Sequence, residues 1–255
     1  MAGIRACADP EEPLAAGHGR VARPLHIPRG LAACVGQKIY AREGGSTEQS
    51  GGGYVVDVVR DDELIEIQTA SFASAARKLR RLVADHRIVL VHPIAVERWL
   101  LRVDADGAVT GRRRSPKRGL PLDLFEELVA FPELVAHPNF RLELLLIREE
   151  EIRGPIAEGV RYRYPRQWRR LDRRLLEVVE TIRIDGPADL LDLLPEGLPS
   201  PFTTADIVAG SKRSKRLAMR AAYCLVKSGA TRNVGRAGRL LTYEAEPSPV
   251  PAGAQ

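Results

Sequence analysis

The most regular pattern of apolar and polar positions lies at residues 54–69, YVVDVVRDDELIEIQT, where two Val- and Ile-rich runs flank four polar residues. This pattern predicts two β-strands joined by a tight turn. Side chains alternate between the two faces of a strand, so Asp57, Glu66 and Gln68 are predicted to share one face. A turn centred between Asp61 and Asp62 pairs Asp57 with Glu66, Val58 with Ile65, Val59 with Leu64, and Val55 with Gln68.

Two opposed carboxylates repel each other, and the apolar neighbours of Asp57 and Glu66 limit their access to water. A compensating cation or a shared proton would relieve this repulsion, and a divalent metal with oxygen ligands is the simplest solution. The alternative is an edge hairpin whose acids lie on a solvated face. A loop of three or five residues would shift the register and remove the direct pairing.

Other apolar patterns predict a small α/β core around this hairpin. Residues 43–53 are rich in Gly and Ser and are predicted to be flexible, although Glu48 could reach the acidic face from there. Helical spacing of apolar residues predicts helices on both sides of the hairpin, and later apolar runs predict strands separated by His92 and Pro93. The predicted helices cover residues 30–41, 71–86 and 122–135, with a break at Phe131–Pro132, and the predicted strands cover 87–91, 96–103 and 139–147.

The last third of the chain has a different pattern. Residues 167–184 show apolar residues at helical spacing, and a short helix is predicted at 187–194. Thr203 and Asp206 have the spacing of a helix cap, and residues 211–228 combine an apolar face with a basic one. Short strands are predicted at 231–234 and 239–243, around a Gly-rich basic turn.

Composition adds a charge argument. The 255 residues carry a formal net charge of +6, and 44% of them are hydrophobic, which is enough for a substantial core. The basic excess favours an acidic polymer as partner, nucleic acid before membrane, although the base content of the gene could also explain an Arg-rich chain. Three separated cysteines, no long apolar run and no signal-peptide core suit a cytoplasmic protein.

A second cluster of cations occurs in the segment GRRRSPKRG at 111–119. It carries five cations that could contact phosphates, Arg112, Arg113, Arg114, Lys117 and Arg118, of which Arg113, Arg114 and Lys117 are the predicted nucleic-acid ligands. The alternative is a solvated basic loop.

The order of helices, basic helix and basic hairpin at the C-terminal end resembles a winged helix-turn-helix domain. That resemblance implies that the basic helix enters a DNA groove and that the hairpin contacts the backbone. The implied contacts are Lys212, Arg213, Lys215, Arg216 and Arg220 on the helix segment, and Arg236 and Arg239 on the hairpin.

The order of Glu48, Asp57 and Glu66-Ile67-Gln68 resembles the PD-(D/E)xK nuclease superfamily. This implies a restriction-endonuclease-like αββαβ mixed sheet in which Asp57, Glu66 and Glu48 hold Mg²⁺ or Mn²⁺. The sequence departs from the motif at two places, with Gln68 where the Lys stands and Val56 where the Pro stands. Gln68 is the implied fourth catalytic residue, and Lys78 on the following helix could supply the missing positive charge.

The predicted organisation is a disordered tail at 1–24, the nuclease-like domain at 25–153, a linker at 154–165, the winged helix domain at 166–245 and a second tail at 246–255. The predicted function is a metal-dependent nuclease-like protein acting on double-stranded DNA. The alternative is a DNA-binding regulator whose α/β domain has lost nuclease activity and binds a partner or effector. A structural or interaction protein with no nucleic-acid role is a third reading. The oligomeric state stays open, with a homodimer as one option. Residues 25–245 also resemble an uncharacterised bacterial family, which supplies no activity.

Overall fold

A computed structural model of the protein describes residues 30–35, 39–40, 46–51, 54–156 and 168–247. Within these residues the largest element is a seven-stranded mixed sheet in the order β1-β2-β3-β4-β6-β7, with β5 paired to β4. Its strands are β1 Ser46–Gly51, β2 Tyr54–Arg60, β3 Glu63–Ile67, β4 Arg87–Val103, β5 Val109–Arg114, β6 Phe140–Pro155 and β7 Trp168–Ile184. The α/β class predicted from the sequence is therefore confirmed.

Short helices cover the two faces of this sheet. On one face, α2 (Ala76–Leu82), α3 (Phe125–Leu128) and the 3-10 turns Phe72–Ser74, Pro121–Leu124 and Pro132–Ala136 pack on buried residues of the central strands. On the other face, α1 (Leu31–Val35) packs on a second apolar cluster. The single helix predicted at 122–135 is instead three short pieces, with the predicted break at Phe131–Pro132.

The hairpin register is as predicted. Strands β2 and β3 are antiparallel, with Val58 opposite Ile65 and Val59 opposite Leu64. Strand β3 then runs parallel to β4 after the crossover through α2. The expectation of a flexible segment at 43–53 was wrong for residues 46–51, because they form β1 and pair with β2. The order along the chain is therefore αβββαβ, with one strand more than predicted.

Strand β4 runs unbroken through His92 and Pro93, so the two predicted strands are one. One edge of β4 pairs with β6 along nearly its whole length. On the opposite edge, β3 pairs as far as Val91 and β5 pairs from Trp99 onwards. Pro93 lies in the gap between these two partners, where a missing N–H group removes no ladder hydrogen bond.

The helix predicted at 167–184 was wrong. These residues form β7, which pairs with β6 along its length. This pairing outweighed the helical spacing of apolar residues. It places Arg173, Arg174 and Arg183 of β7 beside three buried glutamates of β6, which are Glu149, Glu150 and Glu143. The predicted domain boundary fails for the same reason, since Gly154 and Pro155 end β6, and residues 157–165 lie outside the described residues.

A smaller unit follows β7. It contains the 3-10 turn Pro187–Leu193, the short strand β8 (Phe202–Thr203), helices α4 (Thr204–Ser211) and α5 (Lys215–Ser228), and the hairpin of β9 (Thr231–Ala237) and β10 (Leu240–Ala245). The three strands form a sheet in the order β8-β10-β9. The predicted cap at Thr203 is confirmed, and α5 begins at Lys215 rather than at Ser211, after its cap Ser214.

The two units share one hydrophobic core. Leu217, Ala221 and Leu225 of α5 belong to the same buried cluster as Leu128 and Phe131 of the sheet unit. Among the described residues, no helix is long and apolar enough to span a membrane. The tail predicted at 1–24, and the second tail from 248 onwards, lie outside the described residues.

Candidate functional site

The acidic face of the hairpin lies where the β2–β3 ladder ends, since its pairs run from Arg60–Glu63 to Val58–Ile65 and the predicted pairs Asp57–Glu66 and Val55–Gln68 are not among them. Asp57 and Glu66 take the positions that follow the Val58–Ile65 pair, so they stand on neighbouring strands. The backbone N–H of Ile67 donates to Asp57 Oδ2 at 2.8 Å, which fixes the Asp57 carboxylate against β3. Glu66 is buried, with 7% of its surface exposed. The alternative of a fully solvated acidic face is therefore wrong for Glu66.

Two side chains hold the Glu66 carboxylate. Lys78 of α2 places its Nζ 2.5 Å from Oε2, and the Gln68 amide donates to Oε1 at 2.9 Å. Burial raises the pKa of Glu66 above its ordinary value, as does the nearby charge of Asp57, while Lys78 and Gln68 act in the opposite direction. The site thus contains two carboxylates, one ammonium group and one amide on a single face.

Glu48 lies in β1 between the pairs Thr47–Val58 and Gln49–Val56. This register puts the backbone of Glu48 in β1 opposite the backbone of Asp57 in β2. Its side chain lies outside the described part of the structure, so the predicted role of Glu48 rests on its backbone position.

Among the described residues, Asp57 and Glu66 could supply two carboxylate ligands to a magnesium ion, but they do not form a complete coordination shell. No group of three or more His, Cys, Asp or Glu side chains that could hold a metal occurs among the described residues. Asp57 and Glu66 offer hard carboxylate oxygens, and Mg²⁺ commonly uses one or two carboxylates while it keeps waters and substrate phosphates as its other ligands. Both Glu66 oxygens already accept hydrogen bonds, so an ion would have to share them.

His92 lies next to this site. Its Nδ1 is 2.7 Å from the carbonyl oxygen of Gln68, and its ring meets that of Phe72 edge-on. A carbonyl can only accept a hydrogen bond, so Nδ1 carries the proton. Burial lowers the pKa of His92, which keeps the ring neutral at neutral pH.

The basic segment 111–119 divides into two parts. Strand β5 carries Arg112 and Arg114, which form ion pairs with Glu150 and Glu97, while Arg113 is exposed. Lys117 lies beyond β5 in an exposed loop. Of the three cations predicted here to contact phosphate, Arg114 is therefore already bound to a carboxylate.

The basic residues of the C-terminal unit also divide. Arg213 contacts Asp123 at 2.8 Å, and Arg220 forms an ion pair with Glu126, so both connect this unit to the sheet unit. Arg216 also approaches Glu126, at 3.5 Å, but its side chain is 74% exposed. The other implied contacts are exposed, namely Lys212, Lys215, Arg236 and Arg239.

The exposed side of α5 is partly apolar. Met219, Tyr223 and Val226 are exposed there, and they line a shallow cavity with Leu241 of β10. Val226 was among the residues of the apolar face predicted for 211–228, but it is 39% exposed. A helix that reads a DNA groove through this side would present these apolar groups together with Lys215.

Comparison with known proteins places the sheet unit in a family. A family model described as a domain of unknown function, DUF8091, matches residues 37–185. The chain belongs to the DUF8091 family. The matched range contains all seven strands of the large sheet and ends one residue after β7. The DUF8091 domain therefore includes the strand that the sequence assigned to the second domain.

A related chain occurs in a spirochaete. An uncharacterised protein of Treponema pallidum (strain Nichols) is 28% identical over 198 residues, which cover 76% of each chain. This alignment is longer than the match to the DUF8091 model, so it includes residues outside 37–185. No solved structure matches the chain.

Sequence reasoning missed the buried carboxylates that pair with cations inside the DUF8091 domain. Arg98 lies in β4 and binds the fully buried Glu149. Two signals were present in the sequence. Arg98 is a charged residue within an apolar strand pattern, and the run Glu149–Glu151 lies next to another such pattern. The predicted strand ended at residue 147, before this run, and consecutive acids are seldom buried without cations.

Proposed function

We propose that this protein is a metal-dependent nuclease-like protein that acts on DNA through the acidic face of β2 and β3. The observation that carries this proposal is the juxtaposition of Asp57 and Glu66 on neighbouring strands, with Lys78 at Glu66. The observed αβββαβ order contains the αββαβ order that the resemblance to PD-(D/E)xK nucleases leads us to expect, with β1 as an additional strand.

The chain's own residues would have distinct roles. Asp57 and Glu66 would hold Mg²⁺ or Mn²⁺, with Glu48 as a further acid by its register position. Lys78 would replace the motif's Lys as the positive charge, while Gln68 would orient Glu66 through its amide. The bound ion would lower the pKa of a water molecule and stabilise charge on the phosphate.

Matched amide substitutions test this proposal. Asp57→Asn and Glu66→Gln should each lower Mg²⁺- or Mn²⁺-dependent cleavage of plasmid DNA by about a hundredfold or more, because a metal ligand contributes several kcal/mol of charge stabilisation. Asp62→Asn is the control on the same hairpin, since its exposed ion pair with Arg87 lies away from the acidic face.

A readout without cleavage separates metal binding from chemistry. Mn²⁺ should raise the melting temperature of the wild type and of Asp62→Asn, and should do so less for Glu66→Gln, because only an ion that binds the folded state stabilises it. Full cleavage activity in both Asp57→Asn and Glu66→Gln would contradict the proposal.

A second candidate is a DNA-binding protein without nuclease activity. It is favoured by the closed contacts of Glu66, whose two oxygens are already bound by Lys78 and Gln68. In this case the C-terminal unit, which has the element order of a winged helix, would retain DNA without cutting it. Binding should be lost in Lys215→Glu with Arg216→Glu and preserved in Asp57→Ala.

A further inference from the structure

A cavity of about 570 Å³ lies on the same face of the sheet as the acidic site. Three parts of the sheet unit and one residue of the C-terminal unit line it. They are Thr69 after β3, residues 92–95 and Arg98 of β4, residues 116–119 after β5 with Asp123, and Arg213. The cavity therefore opens where the two units meet.

Positive charge predominates in the lining. Four cations, Arg98, Lys117, Arg118 and Arg213, face a single carboxylate, that of Asp123. Arg98 and Arg213 are held by carboxylates, Arg98 by Glu149 at 2.5 Å and Arg213 by Asp123 at 2.8 Å. Within the described ranges, no carboxylate pairs with Lys117 or Arg118, so these two residues leave the cavity with surplus positive charge.

The loop that carries Lys117 and Arg118 is fixed to β4. Ser115 N–H donates to the Arg98 carbonyl and Gly119 N–H donates to the Ala95 carbonyl, each at 2.8 Å. A Cβ atom at Gly119 would lie 2.6 Å from Ile94 Cγ2 and 2.9 Å from the Ala95 oxygen, so only glycine permits this approach. The loop is thus positioned before any ligand arrives, which lowers the ordering cost of binding.

Hydrogen bonds of Gln68 link the cavity to the acidic site. Gln68 bonds to Glu66 through its side chain and to His92 through its carbonyl oxygen, and His92 and Thr69 both line the cavity. Thr69, which lines the cavity, follows the proposed metal ligand Glu66 by three residues.

We propose that this cavity binds a phosphoryl group of a nucleic-acid strand. Lys117 and Arg118 supply the attraction, and Arg98 and Arg213 supply guanidinium groups held in place by their carboxylates. The identification of the ligand as a strand rests on the proposed nuclease-like function. A strand held here would have a neighbouring phosphodiester within reach of Asp57 and Glu66.

Binding of short labelled oligonucleotides to the full chain tests the proposal, with EDTA present to prevent cleavage. The double variant Lys117→Ala with Arg118→Ala should weaken binding about tenfold and reduce the slope of log K against log salt by about one for each cation removed. The matched control is Arg169→Ala with Arg170→Ala, which removes the same charge from exposed positions of β7 outside the cavity. The control should leave the affinity and the slope nearly unchanged.

Equal losses in the two double variants, or no loss in the cavity variant, would overturn the proposal. Inorganic pyrophosphate should compete with the oligonucleotide, and pyrophosphate binding without any oligonucleotide binding would overturn the assignment to a strand. Cleavage measured in parallel separates this inference from the proposed function. Binding that depends on Lys117 and Arg118 without any cleavage would support the proposed phosphoryl-binding cavity and contradict the proposed nuclease function. Cleavage that is unchanged in the Lys117→Ala, Arg118→Ala variant would contradict only the proposed cavity.

Discussion

Glu66 is the residue on which the chemistry of the acidic face depends. Burial and the charge of Asp57 raise the pKa of its carboxyl group, whereas Lys78 and Gln68 act in the opposite direction. Because its pKa is raised in the folded state, the folded protein holds this proton more tightly than the unfolded chain does. The corresponding contribution to stability is present below pH 4.5, the ordinary value for Glu, and is lost as the pH rises through the raised pKa of the folded state.

Two substitutions should move the pKa of Glu66 in opposite directions. Lys78→Met removes a hydrogen bond and a positive charge, and should raise it further. Asp57→Asn removes the neighbouring negative charge and should lower it. The measurement is an NMR titration of the Glu66 side-chain carboxyl carbon, with Glu66→Gln to assign the signal. Shifts in the same direction for both variants would contradict the proposed geometry.

At the scale of elements, local signals were sufficient where a turn or a cap defined the structure. The β2–β3 hairpin formed in its predicted register because a two-residue turn fixes which residues face each other. Helix α4 begins at its predicted cap, where Thr203 Oγ1 accepts from Ala205 N–H at 3.2 Å and Asp206 Oδ2 accepts from Thr203 N–H at 2.7 Å. The hydrogen bonds that the Thr203 hydroxyl and the Thr203 N–H donate to Asp206 Oδ2 lower the pKa of Asp206.

Thr203→Ala should destabilise the protein by about 1 kcal/mol, because the first turn of α4 loses its side-chain acceptor. Thr203→Ser keeps the hydroxyl and is the matched control. Urea denaturation measures both variants. Since the hydrogen bonds from Thr203 lower the pKa of Asp206, part of the stability in the wild type should be lost as the pH falls through that lowered pKa, and Thr203→Ala should reduce this loss. A Thr203→Ala midpoint equal to that of the wild type would contradict the role of the cap.

At the scale of the whole molecule, the two units are joined by a shared hydrophobic cluster and by ion pairs. Helix α5 buries Leu217, Ala221 and Leu225 in the cluster that contains Leu128 of α3. Arg213 and Arg220 cross the same boundary to Asp123 and Glu126. Two cations that the sequence assigned to DNA contact therefore join the units. Among the described residues, the predicted nucleic-acid contacts that form no ion pair lie on β5 and the cavity loop, around the start of α5 and on the β9–β10 hairpin.

We expect a single thermal unfolding transition for the full chain in calorimetry. Leu128→Ala should lower the free energy of unfolding by about 2–5 kcal/mol, because the side chain is fully buried at the boundary of the units. Leu241→Ala, at a position that is 39% exposed, is the control and should have a much smaller effect. Two separate transitions, of which Leu128→Ala moved only one, would show that the units unfold independently.

Three features depend on contacts between residues close in sequence. They are the predicted α/β class, the β2–β3 hairpin with its two acids, and the capped helix followed by a basic helix and a hairpin. Those contacts are encoded by spacing, by turn residues and by caps, which explains why the sequence alone determined them. The resemblance to PD-(D/E)xK nucleases pointed to Lys78 as a cation that could replace the motif's Lys, and the structure pairs Lys78 with Glu66.

Tertiary structure decided the features that depend on distant partners. Residues 168–184 became a strand because β6 offered a complete edge and three buried glutamates that needed cations. The basic segment 111–119 divided because Glu97 and Glu150 captured Arg114 and Arg112, which left Lys117 and Arg118 at the cavity. A local pattern cannot specify such partners, because pairing energy between strands and between charges depends on which groups the fold brings together.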